Sequence, residues 1–369
     1  MKIPYVNLKA QYLDERKKII KIIDKTLKKG NWIGGDEVRE FEKNIAKICN
    51  TKYCVSLNSG TDALTMALHL VGVRKGDEVI TPPNSFIAST AVIVHLGARP
   101  VFVDVKQDQN INEKNIEKKI TKKTKAIMPV HLTGRMCNMR EIKKIAQKHN
   151  IPIIEDCAQS ILSKFENKTS GSWGDIGCFS THPLKNLNAM GDGGFITTNN
   201  KYFYEKIKEL RSHGMESSRE NVKTFGFVSR LDNLQAAILN FRIKNLKKII
   251  KKRRSNFKVY EKHLNRNYVQ FPRETDKEFN TYHTFVVQVK MRDQLKVFLK
   301  KKGIETTIHY PRPIHLQSAA RKLGYRSGDF PETEKQAKKI LTLPINQYLS
   351  KNQIIKISNL VNNFYEKNK

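Results

Sequence analysis

The sequence has little that would cross-link the chain or anchor it in lipid. Its 369 residues include five cysteines (Cys49, Cys54, Cys137, Cys157 and Cys178). That odd number, with no Cys-x-x-Cys pair, argues against both a disulfide framework and a zinc ribbon. No stretch approaches the roughly 18 apolar residues of a membrane span. The opening MKIPYVNLKAQYLDERKK has no apolar signal core, so the protein is expected in the cytoplasm, with no membrane partner. The scattered histidines form no HxxxH or HExxH spacing, so no metal site is expected. Neither a P-loop nor a GxGxxG pattern occurs.

Acidic residues are also scarce, 35 Asp and Glu against 68 Lys and Arg, for a formal charge of +33. Such an excess raises nucleic acid as a partner, but its distribution points the other way. Lysine pairs such as Lys17-Lys18, Lys28-Lys29, Lys122-Lys123 and Lys143-Lys144 are spread along the chain, with no basic arm. In the densest run, Lys244 to Arg254, apolar residues recur at helical spacing, which reads as a solvated or subunit-facing helix face. No nucleic-acid partner is expected. The same positive field would attract a phosphorylated cofactor or a diphosphate-bearing substrate.

With 39% hydrophobic and 28% charged residues the chain has the composition of a globular protein, and its length suits two domains. From Tyr53 to Thr198 short apolar runs alternate with longer amphipathic ones: YCVSL then TDALTMALHL, DEVITP then SFIASTAVIVHL, KAIMPVHL then MREIKKIAQKHN, followed by IPIIEDC, DIGCFS and GGFITT. This alternation predicts an α/β domain with a mostly parallel sheet, whose ligands bind beyond the carboxyl ends of the strands. A helix is predicted from about Leu231 past Arg254. The strand TYHTFVVQVK and the helices DQLKVFLKKKG and FPETEKQAKKI then predict a smaller α+β unit. The domain boundary falls within the long helix, giving 1–250 and 251–369.

Three segments carry residues suited to one chemistry. In NSGTDAL, Ser59, Gly60 and Thr61 open a helix whose free amides and positive dipole end suit a phosphate; a plain helix cap is the alternative. In IIEDCAQS, Asp156 ends a buried apolar run, and a carboxylate there needs a partner, either a salt bridge or a protonated ring nitrogen. In CFSTHPLKNLNAMGDGG, Ser180, His182 and Lys185 follow another such run. A lysine in an irregular Pro- and Gly-flanked loop after a strand-end aspartate is placed to form a Schiff base. A solvated surface lysine is the alternative.

The ordered set NSGTDAL, NSFIAST, EDCAQS, FSTHPLKNLNAMGDGG and GFVSRLDNLQAA, with IPYVNLKAQY before it and HYPRPIHLQ and FPETEKQAKKILTLP after it, resembles the DegT/DnrJ/EryC1/StrS family of nucleotide-sugar aminotransferases. The resemblance implies the pyridoxal 5'-phosphate (PLP) fold type I: a large domain with a mostly parallel seven-stranded sheet and a smaller α+β C-terminal domain. It further implies that Lys185 bears the cofactor as a Schiff base, Asp156 pairs with the pyridine nitrogen, and Gly60, Thr61 and Ser180 bind the phosphate. Phe86 would stack on the ring and Gln159 contact its hydroxyl. Trp32, His309 and Tyr310 are candidate substrate contacts; His131 and His315 are equally read as structural. Family members are usually homodimers with active sites at the subunit interface, where an asparagine of a GxNxRL stretch reaches the neighbour's phosphate; here that position is Val228.

The implied reaction is ping-pong. An amino donor, L-glutamate, leaves its nitrogen on the cofactor, and a keto sugar linked to a nucleoside diphosphate collects it at C3 or C4, as a step toward a surface polysaccharide, another glycan or a secondary metabolite. Lys185 would act as base and acid. The related deoxysugar dehydratases carry histidine at the lysine position, which sets them apart, and a regulatory or nucleic-acid-binding member of the fold is the rival from another class. The nucleotide, UDP, dTDP or GDP, is expected to be selected by the loops Asn31 to Gly35 and Ser212 to Ser229.

Overall fold

The computed structural model describes residues 2–215 and 220–368. Two helices, α1 (Leu8–Lys28) and α2 (Asp36–Cys49), precede the first strand. In α2 the buried residues Val38, Phe41, Ile45 and Cys49 recur at three- and four-residue steps, which turns one stripe inward. Phe41 there meets Phe195 edge-on, with ring centroids 5.7 Å apart.

The alternation predicted from the sequence then follows: β1 (Tyr53–Leu57), α3 (Gly60–Leu70), β2 (Glu78–Thr81), α4 (Ala88–His95), β3 (Arg99–Phe102), β4 (Thr124–Ile127), α5 (Met139–His149) and β5 (Ile154–Asp156). Two short strands, β6 (Lys164–Phe165) and β7 (Lys168–Thr169), lead to β8 (Ile176–Ser180), β9 (Gly194–Thr198) and α6 (Lys201–Leu210). Strand β2 lies between β3 and β4, all parallel. Strand β5 runs parallel to β8, whereas β9 is antiparallel to both β8 and β1. Parallel bridges Ile127–Ile153 and Val130–Asp156 connect the two sheets along the β4 and β5 edges. Strand β9 is buried along its whole length, as expected where both faces of a sheet are covered; the buried Thr197 hydroxyl donates to the Gly171 carbonyl at 2.8 Å.

The remaining chain begins with α7 (Asn233–His263), a helix that contains the expected 250/251 boundary. It continues through β10 (Val269–Gln270), β11 (Glu278–Phe279), β12 (Phe285–Val289), α8 (Arg292–Lys301), α9 (Pro331–Lys339), β13 (Ile340–Leu343) and α10 (Lys351–Glu366). Strand β12 is central, antiparallel to β10 and β13. Around it Tyr260, Phe285, Leu341 and Val361 form a core that also takes in Ile3 from the start of the chain. The backbone of Ile3 is tied there by its N–H to Gly303 and by its carbonyl to Glu305. Among the described residues, no helix is long and apolar enough to cross a membrane.

The order of elements places the chemically interesting residues along one edge. Ser59 and Gly60 follow β1, Phe86 follows β2, Asp156 ends β5 and Ser180 ends β8. These parallel strands all point their carboxyl ends the same way, the edge where α/β sheets bind ligands.

Candidate active site

A cavity of about 420 Å³ opens at this edge, walled by residues of both cores. It brings together Gly60, Thr61, Phe86, Asp156, Gln159, Ser180 and Lys185, and also His309 and Tyr310. Trp32 lies outside its wall, 62% exposed. His315 is elsewhere, buried with its ring nitrogen 3.1 Å from Glu334.

Lys185 sits in the loop between β8 and β9, with its backbone N–H donating to the His182 carbonyl at 2.8 Å. Its ammonium forms no ion pair among the described residues. Burial lowers its pKa to about 8, while the Asp156 charge pulls the other way. The loop is clamped from two helices. Arg242 of α7 donates to the Asn188 carbonyl at 2.7 Å and forks onto Glu15 of α1 through Nε and Nη2 at 3.0 and 2.7 Å. Gln11 and Asn188 exchange amide hydrogen bonds of 3.0 and 3.1 Å, and Asn188 also donates to Pro183.

Asp156 is 4% exposed. One carboxylate oxygen accepts from the Ser89 hydroxyl at 2.7 Å and the other from the Ala158 N–H at 3.1 Å. Each oxygen retains a lone pair for a ring N–H in the cavity. Behind it, Glu155 accepts from His131 Nε2 at 2.9 Å and from the N–H groups of Gly171, Trp173 and Gly174 at 3.0, 2.8 and 2.7 Å. The potential ligand atoms of His131, Glu155 and Cys157 lie within 4.8 Å of one another. Hydrogen bonds account for His131 and Glu155 without an ion, since His131 Nδ1 also accepts from the Cys137 N–H; burial pushes the Cys157 thiol well up. This is a buried polar network supporting β5.

At the opposite end, Ser59 caps α3 by accepting from the Asp62 N–H at 3.0 Å. That leaves the first amides, Gly60 and Thr61, without intrahelical acceptors. A Cβ on Gly60 would lie 2.7 Å from that of Ser180, and one on Gly194 would collide with the Ser59 carbonyl. Glycine at both positions lets α3, β8 and β9 converge on one anion-sized cradle. Val228 is 54% exposed; its neighbour Ser229 is committed to Asn58, donating at 3.1 Å, and Arg230 borders a separate surface pocket. Residues 216–219 of the Ser212 to Ser229 loop lie outside the described residues.

Phe86, 57% exposed, forms part of the cavity wall beside Tyr310, with ring centroids 6.2 Å apart. Gln159 accepts from the Thr133 N–H at 2.9 Å and donates to the Tyr310 hydroxyl at 3.2 Å. His309 bonds Thr342 Oγ1 at 3.0 Å, and burial beside cationic Lys185 lowers its pKa to about 4.

Sequence reasoning missed Tyr5, Ser89, Arg253 and His283, all of which line the same cavity. Ser89 lay within the NSFIAST motif but had no separate signal. Arg253 was hidden in the basic run. The solvated-face reading suits Lys244, Lys247, Lys248 and Lys251, which are exposed. It is corrected at Arg242 and Arg253, each 6% exposed, whose side chains turn inward from the same helix.

A partly buried lysine without an ion-pair partner, a strand-end carboxylate with spare acceptor capacity, an aromatic wall and a glycine-lined helix N-terminus fit a phosphorylated pyridine aldehyde. Comparison with known proteins agrees. A "pleiotropic regulatory protein" of Geobacillus stearothermophilus is 37% identical over 99% of both chains. The dTDP-3-amino-3,6-dideoxy-alpha-D-galactopyranose transaminase of Aneurinibacillus thermoaerophilus is 39% identical over 98% of this chain and 99% of its own. The crystal structure of S. venezuelae DesV in complex with a ketimine intermediate superposes with a TM-score of 0.96 at 33% identity, covering 99% of each chain. Residues 13–362 match the family profile, and the chain belongs to the DegT/DnrJ/EryC1/StrS aminotransferase family.

Proposed function

We propose that the protein transfers an amino group, in a ping-pong cycle, from L-glutamate to C3 or C4 of a keto sugar carried on a nucleoside diphosphate. Aminotransferases of this family use PLP. The observation that carries the reading is Lys185, its ammonium without an ion pair, in one cavity with buried Asp156 and the α3 N-terminus.

The cofactor supplies an electron-accepting ring and a carbonyl carbon that condenses with amines. Gly60, Thr61 and Ser180 would bind its phosphate, Asp156 would hold a proton on the pyridine nitrogen, Phe86 would cover one ring face and Gln159 would reach the ring hydroxyl. The amine of Lys185 would serve as base and acid, taking the proton from the substrate carbon that carries the transferred nitrogen and later giving it back. A pKa of about 8 leaves a useful fraction of that amine neutral at physiological pH. His309, held neutral by its lowered pKa, adds no competing charge beside Lys185.

The two sheets, joined along β4 and β5, are read as one seven-stranded sheet of PLP fold type I, with 1–250 and 251–369 as its two domains. The exposed apolar residues Trp32, Phe225 and Phe227 support a homodimer whose interface brings Trp32 and the 220–229 segment to the partner's site. Light scattering should then give twice the 42.6 kDa chain mass. The names of some relatives favour a second, regulatory reading; a salt-sensitive gel shift on DNA without any cofactor band would support it instead.

The test of the main reading is the absorbance spectrum of the purified protein with and without glutamate. A visible cofactor band that bleaches with glutamate is expected, and Lys185→Ala should lose that response while keeping its fold. Wild-type turnover by Lys185→Ala would end the assignment.

A further inference from the structure

Among the described residues three arginines are buried, Arg135, Arg242 and Arg253, each 6% exposed. Two of them have a carboxylate. Arg135 meets Glu278 at 2.6 Å and Arg242 meets Glu15 at 2.7 Å. Arg253 has none: among the described residues no ion pair includes it, although removing a guanidinium from water without a counter-charge costs several kcal/mol.

Its hydrogen bonds go only to neutral acceptors. Nη1 donates to the carbonyls of Tyr282 and His283 at 3.2 and 3.1 Å, and Nη2 donates to Gln347 Oε1 at 3.2 Å. Nε is a buried donor with no partner. Nε–H is thus an unused donor of a buried guanidinium. In Arg242 the Nε and Nη2 groups both donate to one Glu15 oxygen, Oε2.

Arg253 lines the cavity that contains Lys185. Lys185 is the other cation on this wall, while burial holds His283 and His309 neutral. Asp156 is already engaged by Ser89 and Ala158, and Asp192 is exposed at the rim. Burial lowers the Arg253 pKa to about 10, which leaves it charged at any physiological pH. A buried guanidinium fork with no counter-charge, in one cavity with Lys185, matches an anionic ligand. In an amino-acid donor, a carboxylate lies on the carbon that bears the transferred nitrogen. A keto-sugar ring without a uronate carboxylate offers only neutral groups.

We propose that Arg253 is the carboxylate anchor for the amino donor and so places the donor's nitrogen at Lys185. The proposal rests on the aminotransferase reading and adds to it the subsite that selects a carboxylate-bearing donor. The keto sugar enters the same cavity in the second half of the cycle and does not use this fork.

The test is calorimetry on the cofactor-loaded protein with glutarate, a dicarboxylate that lacks an amino group and cannot react. Glutarate is expected to bind the wild type, and glutaramide, its uncharged diamide, is not. Arg253→Met should weaken glutarate binding at least about tenfold, the loss of a charge-assisted pair. Arg253→Lys, with a point charge and no fork, should fall between the two. Retention of the visible cofactor band in each variant reports that the site is intact, and Arg253→Lys carries the comparison if the methionine variant does not fold. Equal glutarate affinity in the variants, or none in the wild type, overturns the proposal. So does inorganic pyrophosphate being the probe whose binding is lost, which would assign the fork to the nucleotide. Failure of the aminotransferase reading shows separately, as a protein that takes up no PLP.

Discussion

Replacing Lys185 by methionine should make the cofactor-free protein more stable at neutral pH. Burial lowers the lysine pKa from 10.5 to about 8, and each unit corresponds to 1.36 kcal/mol, so the protonated side chain costs the fold about 3 kcal/mol. That figure is an upper bound because Lys185 keeps some exposure to the cavity. Methionine keeps the length of the side chain and removes the charge. The sign follows from proton binding. Below pH 8 both folded and unfolded chains hold the proton and the full penalty applies. Between pH 8 and 10.5 the unfolded chain binds the proton more tightly, so wild-type stability rises with pH, and above 10.5 the penalty is gone. Urea denaturation of both proteins at matched concentration, at pH 7 and near pH 10.5, measures the difference. A gain of up to about 3 kcal/mol at pH 7 that vanishes near pH 10.5 is expected. Any change in packing is independent of pH and cancels between the two conditions. A variant no more stable than wild type at pH 7, or a gain that does not depend on pH, would refute the argument that the site stores this cost in Lys185.

Three further outcomes follow from the same geometry. Glu15→Ala leaves Arg242 buried without its carboxylate and should destabilise the protein by about 3–5 kcal/mol in urea denaturation; because Arg242 also holds Asn188, hydrogen exchange in the 181–189 loop should rise with it. Gly194→Ala drives a methyl group into the Ser59 carbonyl, so cofactor affinity measured from the absorbance titration should fall well before global stability does. His309, whose pKa falls from 6.5 to about 4, remains neutral in the folded protein from pH 8 down to about 5. Stability should therefore fall as pH drops below 6.5, where only the unfolded chain takes up the proton, and His309→Gln should flatten that part of the profile measured by thermal denaturation.

Much of the site was legible because its signals are local. Asp156 follows IPII and Glu155, so a strand-end carboxylate could be inferred from four apolar residues and a change of polarity. Lys185 stood out among many lysines because proline and glycine interrupt regular structure on either side of it. The α3 N-terminus announced itself through Ser59 and Gly60 before an amphipathic run. The partners that make these residues usable left no such mark. Ser89 is 67 residues from Asp156, inside a helix whose sequence gives that serine no signal of its own. Glu15 and Arg242 are 227 residues apart, and each looks like an ordinary charge on an exposed helix. Arg253 could not be told from its basic neighbours, since whether a helix position faces water or a cavity depends on what packs against that helix.

The sequence by itself determined the alternation of strands and helices from Tyr53 to Thr198 and the family to which the chain belongs, and it pointed to the strand ends as the ligand edge, because periodicity, capping and motif order act over a few residues at a time. The tertiary structure alone decided which charges lose their water. By folding α1 and α7 against the Lys185 loop it gave Arg242 a carboxylate, left Arg253 without one and lowered the lysine's pKa; desolvation depends on the whole surrounding surface, which no local pattern encodes.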